Sequence, residues 1–203
     1  MAGSPSPVER DRAVRRTVFV VAALNLGYFG IEFGVARAIG SVSLFADSID
    51  FLEDAAVNLL ILVALGWPAR YRALVGMFMA GVLLVPAAAT VWTAWQKLAV
   101  GVPPEPVSLS LTGLGALAVN LFCALLLARY RAHSGSLTRA AFLSARNDAL
   151  ANVAIIVAGI VTAAAASPWP DLVVGLGILV LNLDASRQVY SAARSERRAA
   201  LAC

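Results

Sequence analysis

The stretch Ser43-Leu-Phe-Ala-Asp47-Ser-Ile-Asp50-Phe-Leu-Glu53-Asp54-Ala-Ala-Val-Asn58-Leu-Leu-Ile-Leu-Val-Ala-Leu65 decides the fold class because it contradicts itself. Its flanks are apolar enough for a lipid-spanning helix, yet its first half carries four carboxylates. One carboxylate at the centre of a bilayer costs about 2.5–3.5 kcal/mol, so four on a lipid-facing surface are untenable. At about 100° per residue, Asp47, Asp50 and Asp54 fall in one narrow arc with Glu53 at its edge. A helix of this kind must turn its acidic face toward protein, water or a cation.

The whole chain points the same way. Of its 203 residues, 60% are hydrophobic and 14% charged, and its mean hydropathy is +0.80. Soluble domains carry about 25% charged residues, so the sequence predicts an all-α integral membrane protein. The net charge of +4 is not a nucleic-acid signature, because the cations flank apolar segments and no basic patch is interleaved with aromatic residues. The two cysteines, Cys123 and Cys203, have neither metal nor disulfide spacing.

Taken in order, residues 1–16 read as a disordered basic lead. The first transmembrane helix covers about 17–38 and carries Asn25 and Glu32. After a turn at Gly40-Ser41, the second covers about 43–66 and is ended by Trp67-Pro68. The third covers about 73–98, with Pro86 as a kink, and Pro103-Pro-Glu-Pro106 stiffens the loop beyond it. The fourth covers about 108–129 with Asn120, and a polar connector holds the single histidine, His133, read as a solvated loop residue. The fifth, about 139–166, carries Ser144, Arg146, Asn147, Asp148 and Asn152 in its first half. The sixth covers about 171–192, and 193–203 form a short basic tail with no soluble domain behind it. Each span is near the twenty residues a bilayer requires.

The cations test that count. Six spans put both termini and the 2–3 and 4–5 connectors on one side, which collects thirteen of the sixteen Lys and Arg residues. The other side holds only Arg37 and Lys97, and Arg146 lies within a span. The positive-inside rule therefore predicts cytoplasmic termini, and the plasma membrane is the expected location.

Asp50 and Asp54, at i and i+4, point the same way and suit a divalent cation. Asp148 sits at equivalent depth in the fifth helix, with Ser144 one turn before it and Asn152 one turn after. Packing the two helices would join these pairs in one oxygen-rich site. The competing reading makes the acids structural, paired with Arg146 or satisfied by neighbouring helices. Asp47, nearer its helix start, suits a backbone cap or an ion guide.

The chain resembles the membrane domain of the cation diffusion facilitators, a family of metal efflux carriers with six transmembrane helices and cytoplasmic termini. The resemblance rests on Leu24-Asn25, Glu32-Phe-Gly34, Gly40-Ser-Val-Ser-Leu-Phe-Ala-Asp-Ser48, Asp50-x-x-x-Asp54, Pro103-Pro-Glu-Pro-Val107, Asn147-Asp-Ala-Leu150 and Trp169-Pro-Asp-Leu-Val-Val-Gly175. It implies Asp50, Asp54, Ser144 and Asp148 as metal ligands, with Asn147 or Asn152 as substitutes for Ser144. Asn25, Glu32, Asp47 and Glu53 then take supporting or access-path roles. Zinc-selective relatives have a histidine in at least one pair, whereas this chain has Ser144 there, which favours harder ions such as manganese or iron. The expected substrate is a divalent cation of the manganese, iron, zinc or cobalt class, exported by proton antiport with alternating access.

No organic cofactor and no enzymatic activity are expected. The expected partners are membrane lipid, the metal ion, protons and a second copy in a homodimer, with no nucleic acid. Two other readings compete. A magnesium-dependent membrane enzyme would need glycine and arginine at fixed spacing among its carboxylates, which 47–54 lack. A metal-binding accessory subunit would bind metal without moving it.

Overall fold

The computed structural model describes residues 7–64, 71, 74, 84–128 and 135–202, with the side chains of the fifth helix described from Asn147 onward. Its described elements, in chain order, are α1 (Pro7–Ile39), α2 (Val42–Ala64), α3 (Leu84–Val100), α4 (Pro106–Ala128), α5 (Gly135–Ala165) and α6 (Trp169–Ala202). No strand occurs among the described residues. The end of the second predicted helix at Trp67-Pro68, the first half of the third, and His133 lie outside the described residues.

Three boundaries differ from the sequence reading. α1 begins at Pro7, so residues 7–16 of the lead read as disordered are helical; α5 begins at Gly135 rather than about 139; and α6 runs on to Ala202. The extensions of α1 and α6 are arginine-rich and polar, so hydropathy ends the span where the backbone does not end the helix. Nothing in Glu9–Arg16 or Ala192–Ala202 breaks a helix: neither holds a Gly or Pro.

The helix ends follow local chemistry. α1 stops at Gly40, whose φ of 62° is left-handed, and the Ser41 amide reaches back to the Ala36 carbonyl at 3.0 Å, the bond that closes a Schellman cap. Gly101 (φ 69°) ends α3 with the simpler left-handed cap, its own amide 2.8 Å from the Lys97 carbonyl. At the start of α4, Glu105 is the N-cap. Its carboxylate accepts from the Val107 amide at 3.0 Å and the Ser108 amide at 2.6 Å, and Pro106 occupies the first helical position, where no donor is needed. The prolines that stiffen this loop thus also set the capping geometry. The Ser108 hydroxyl, then the Ser108 and Val107 amides, hold the Glu105 carboxyl below the usual carboxylate range.

The most extensive helix pairings are α4 with α5 and α1 with α2; α2 also packs on α6, α5 and α3, which leaves it at the centre of the bundle. Leu44, Phe45, Ala46 and Ile49 of α2 meet Ala36, Leu109, Ile155 and Ile178 in the main core. A second cluster joins Val21 to Cys123, Ala124 and Leu127, so Cys123 is a small buried packing residue. Large apolar side chains cover the outside, among them Phe19, Trp92, Trp95, Leu125 and Val180. That inversion is the signature of a lipid-facing surface. Arg12–Ile39, Pro106–Ala128 and Asn147–Ala165 are long and apolar enough to cross a membrane by length and composition. α2 is too acidic to qualify on composition, for the reason that opened the sequence reading.

Candidate cation site

The two ends of α2 treat polar groups in opposite ways. At its N-terminus, Asp171 from the first turn of α6 is fully buried and accepts four hydrogen bonds. The donors are the Val42 amide at 2.8 Å, the Ser43 amide at 3.1 Å, and the hydroxyls of Ser41 and Ser43 at 2.6 Å each. Ser41 Oγ in turn accepts from the Leu44 amide at 3.1 Å, so it caps the helix locally while donating to Asp171. Lys97 Nζ donates to the Gly40 carbonyl at 2.7 Å, beside the same turn. Gly175 makes the approach possible: a Cβ there would stand 2.7 Å from the Val42 carbonyl carbon and 2.8 Å from the Ser43 nitrogen. Trp169-Pro-Asp171 and Gly175 therefore fasten α6 to the start of α2.

Further along α2 the carboxylates meet three neighbouring helices. The charges of Asp47, Asp50, Glu53 and Asp54 all reach Asp148 of α5, and that of Asp50 also reaches Glu32 of α1. Glu53 lines a small cavity with Ala87 and Thr90 of α3 and with Leu179, Asn182 and Leu183 of α6. Asp47 lies at hydrogen-bonding approach to Glu32 of α1. Asp47 and Glu32 are both fully buried, and no donor reaches any of their four oxygens among the described residues. The reading of Asp47 as a backbone cap is therefore corrected. Asp47 lies five residues inside α2, past the free amides of its first turn, and the capping carboxylate comes from Asp171 instead.

α2 and α5 also share a detail that spacing in the sequence contains but did not single out. Asn152 Nδ2 donates to the Asp148 carbonyl at 2.6 Å, and Asn58 Nδ2 donates to the Asp54 carbonyl at 2.7 Å. In both, an asparagine four residues after an aspartate ties its amide to that residue's backbone. Each leaves a buried Oδ1 with no donor. Asn58 was missed because a lone asparagine in an apolar run carries no signal until Asp54-x-x-x-Asn58 is set beside Asp148-x-x-x-Asn152. Asn25, on the Glu32 face of α1, is likewise fully buried with neither polar side-chain atom bonded. Asn147 is exposed and has a partner.

The structure thus brings the charges of Asp50, Asp54 and Asp148 within reach of one another across the α2–α5 contact, with Asn58 and Asn152 one turn beyond Asp54 and Asp148 on their own helices, and puts Glu32 and Asp47 together at the α1–α2 contact. Ser144 lies on α5 one turn before Asp148, but its side chain is outside the described residues, as is that of Arg146. Among the described residues, no three of the His, Cys, Asp and Glu side chains are gathered closely enough to hold a metal ion as they stand. What the arrangement offers is a set of hard oxygen atoms inside an apolar bundle, several without donors, which suits a cation rather than an anion or an apolar ligand.

Comparison with known proteins assigns most of the chain to one family: the sequence profile of the cation efflux transmembrane domain matches residues 18–196. A comparison with curated proteins found no match.

Proposed function

We propose, from the premise that the chain belongs to the cation efflux transmembrane domain family, that it exports a divalent metal cation in exchange for protons. The family is one of transporters, and the chain is an integral membrane cation transporter of the cation diffusion facilitator kind. The proposal adds the site, the direction and the coupling. Asp50 and Asp54 of α2 and Asp148 of α5 supply charged ligands, and Ser144 supplies a neutral oxygen. Asn147 and Asn152 are the alternatives to Ser144, while Asn25 and Glu53 line the way in.

What supports this reading is that Asp148 of α5 feels the charges of Asp50 and Asp54 across the α2–α5 contact. Three ionised carboxylates whose charges reach one another inside an apolar bundle repel. A divalent cation cancels that repulsion, and its absence leaves the groups to be neutralised by protons, so metal and proton compete for the same oxygens. Exposing the site alternately to each side turns this competition into exchange. An oxygen set without imidazole favours manganese or iron over zinc. Six spans with cytoplasmic termini, set by thirteen cations on one side, orient the carrier in the plasma membrane, where it works as a homodimer.

The test is metal flux into proteoliposomes with and without a pH gradient, with manganese, iron, cobalt and zinc each offered. Gradient-dependent flux of at least one ion is expected, with Ser144→His shifting preference toward zinc. Binding without flux for every ion would replace the carrier by a metal-binding accessory subunit.

A further inference from the structure

The Glu32–Asp47 pair is left over by the metal site. It lies at the α1–α2 contact, whereas the metal site spans α2 and α5. Two aromatic contacts between the same helices bracket it: Phe33 with Phe45, ring centroids 5.5 Å apart, and Tyr28 with Phe51, 5.0 Å apart. Along the two helices, which run antiparallel through the short turn at Gly40-Ser41, Phe33 and Phe45 lie on the turn side of the pair and Tyr28 and Phe51 one turn beyond it, and both acidic residues are fully buried.

Neither carboxyl group has a donor among the described residues. The Tyr28 hydroxyl is already spent: it donates to the Thr112 carbonyl at 2.6 Å, in the space left by Gly115. Among the described residues, the titratable groups whose charges reach the pair are Tyr28 on α1, Asp50 on α2 and Asp148 on α5. All three are neutral or negative, so none of them compensates two buried anions. Two carboxylates at contact distance in a dry site cannot both be ionised. The approach of the two groups becomes a hydrogen bond only when one of them carries a proton.

We propose that Glu32 and Asp47 together bind one proton, shared between their carboxyl groups, as a proton site separate from the carboxylates that meet α5. The inference rests on the cation/proton exchange reading for its function, but the pair's chemistry stands on its own geometry. Asp47 is one turn from Asp50 on the same helix. A divalent ion beside Asp50 places positive charge near the pair, favours its second anion and expels the shared proton. Departure of the ion draws a proton back. The pair thus senses the occupancy of the metal site through charge, and contributes a counter-ion that no metal ligand has to carry.

The test is infrared spectroscopy of the full chain in lipid, following the carbonyl stretch of a protonated carboxyl group at neutral pH. The metal-site carboxyls also take up protons when the ion is absent, so the metal-free spectrum is read in the Asp50→Asn/Asp54→Asn/Asp148→Asn protein, where the pair is left without them. That protein is expected to show the band, and adding either Glu32→Gln or Asp47→Asn is expected to abolish it, because an amide then supplies the donor that the proton supplied. With the metal site intact, saturation with Mn2+ or Zn2+, whichever the wild type binds, is expected to discharge more band intensity in wild type than in Glu32→Gln. Absence of the band in the triple variant, or its survival on adding either pair substitution, overturns the shared proton. An equal metal-induced loss in wild type and Glu32→Gln overturns its role as counter-ion. Because the metal-free spectrum needs no transport, a chain that moved no metal would refute the exchange reading while leaving the pair to be judged separately.

Discussion

Asp171 and Asp47 are both fully buried aspartates touching α2, and they differ in one respect. Asp171 accepts four hydrogen bonds and fixes the start of the helix to α6. Asp47, one turn and a half further on, has no donor to either oxygen. Burying a charge without partners is so expensive that chains avoid it unless something else is to be bound. A satisfied buried acid is therefore architecture, and an unsatisfied one is a place kept for a cation or a proton. The satisfied acid reaches α2 from α6 at its first residues and the unsatisfied one lies about five residues on, so the anchored start positions Asp47.

Substitutions can break that contrast. The largest effect is expected at the anchor. Asp171→Ala strips the acceptor from two hydroxyls and two amides, and should cost about 3–5 kcal/mol of stability. At the unsatisfied pair, Glu32→Gln on α1 should cost nothing or raise stability, since its amide gives Asp47 the donor it lacks. Thermal unfolding of the two variants in the same detergent measures the pair, and equal losses would erase the distinction.

Gly175→Ala is the next test. Its new methyl would stand against the Val42 carbonyl and the Ser43 amide, and pushing α6 off the helix start should cost about 1–3 kcal/mol. A variant as stable as wild type would mean that α2 is not held there.

The smallest effect concerns a satisfied but exposed acid. Glu105 caps α4 with a carboxyl held below the usual range by Ser108 and Val107. A carboxyl depressed in the folded state contributes stability that is complete above its unfolded value, about 4.3. That contribution is lost as pH falls through the lower folded value. Glu105→Gln should flatten this part of the acid limb of a pH-stability profile, and an unchanged limb would remove the cap from the account.

Much of this contrast was legible in the sequence on one side only. The helix order and the division into apolar spans follow from hydropathy, and the α2 acids announce themselves by their cost in lipid. Their separate neighbours did not. Spacing put Asp47, Asp50 and Asp54 in one arc, but an arc says nothing of which helix lies against each part of it, and the structure sends them to α1 and α5. The anchor was the harder case. Trp169-Pro-Asp171 was visible as a family motif without a role, because its partners Ser41, Val42 and Ser43 are some 130 residues away and no periodicity links them. Asn58 was hidden because its meaning depends on a matching pair in α5. The long ends of α1 and α6 were missed because span length is set by the bilayer, while helix length is set by where the backbone meets a breaker.

The central claim is that the acidic middle of α2 handles the transported ion, and metal flux through Asp50→Ala and Asp54→Ala tests it most directly. Both variants, reconstituted at the same density as wild type and checked for intact folding by their unfolding temperature, should fall to the flux of protein-free vesicles. Flux equal to wild type in either variant would contradict the account.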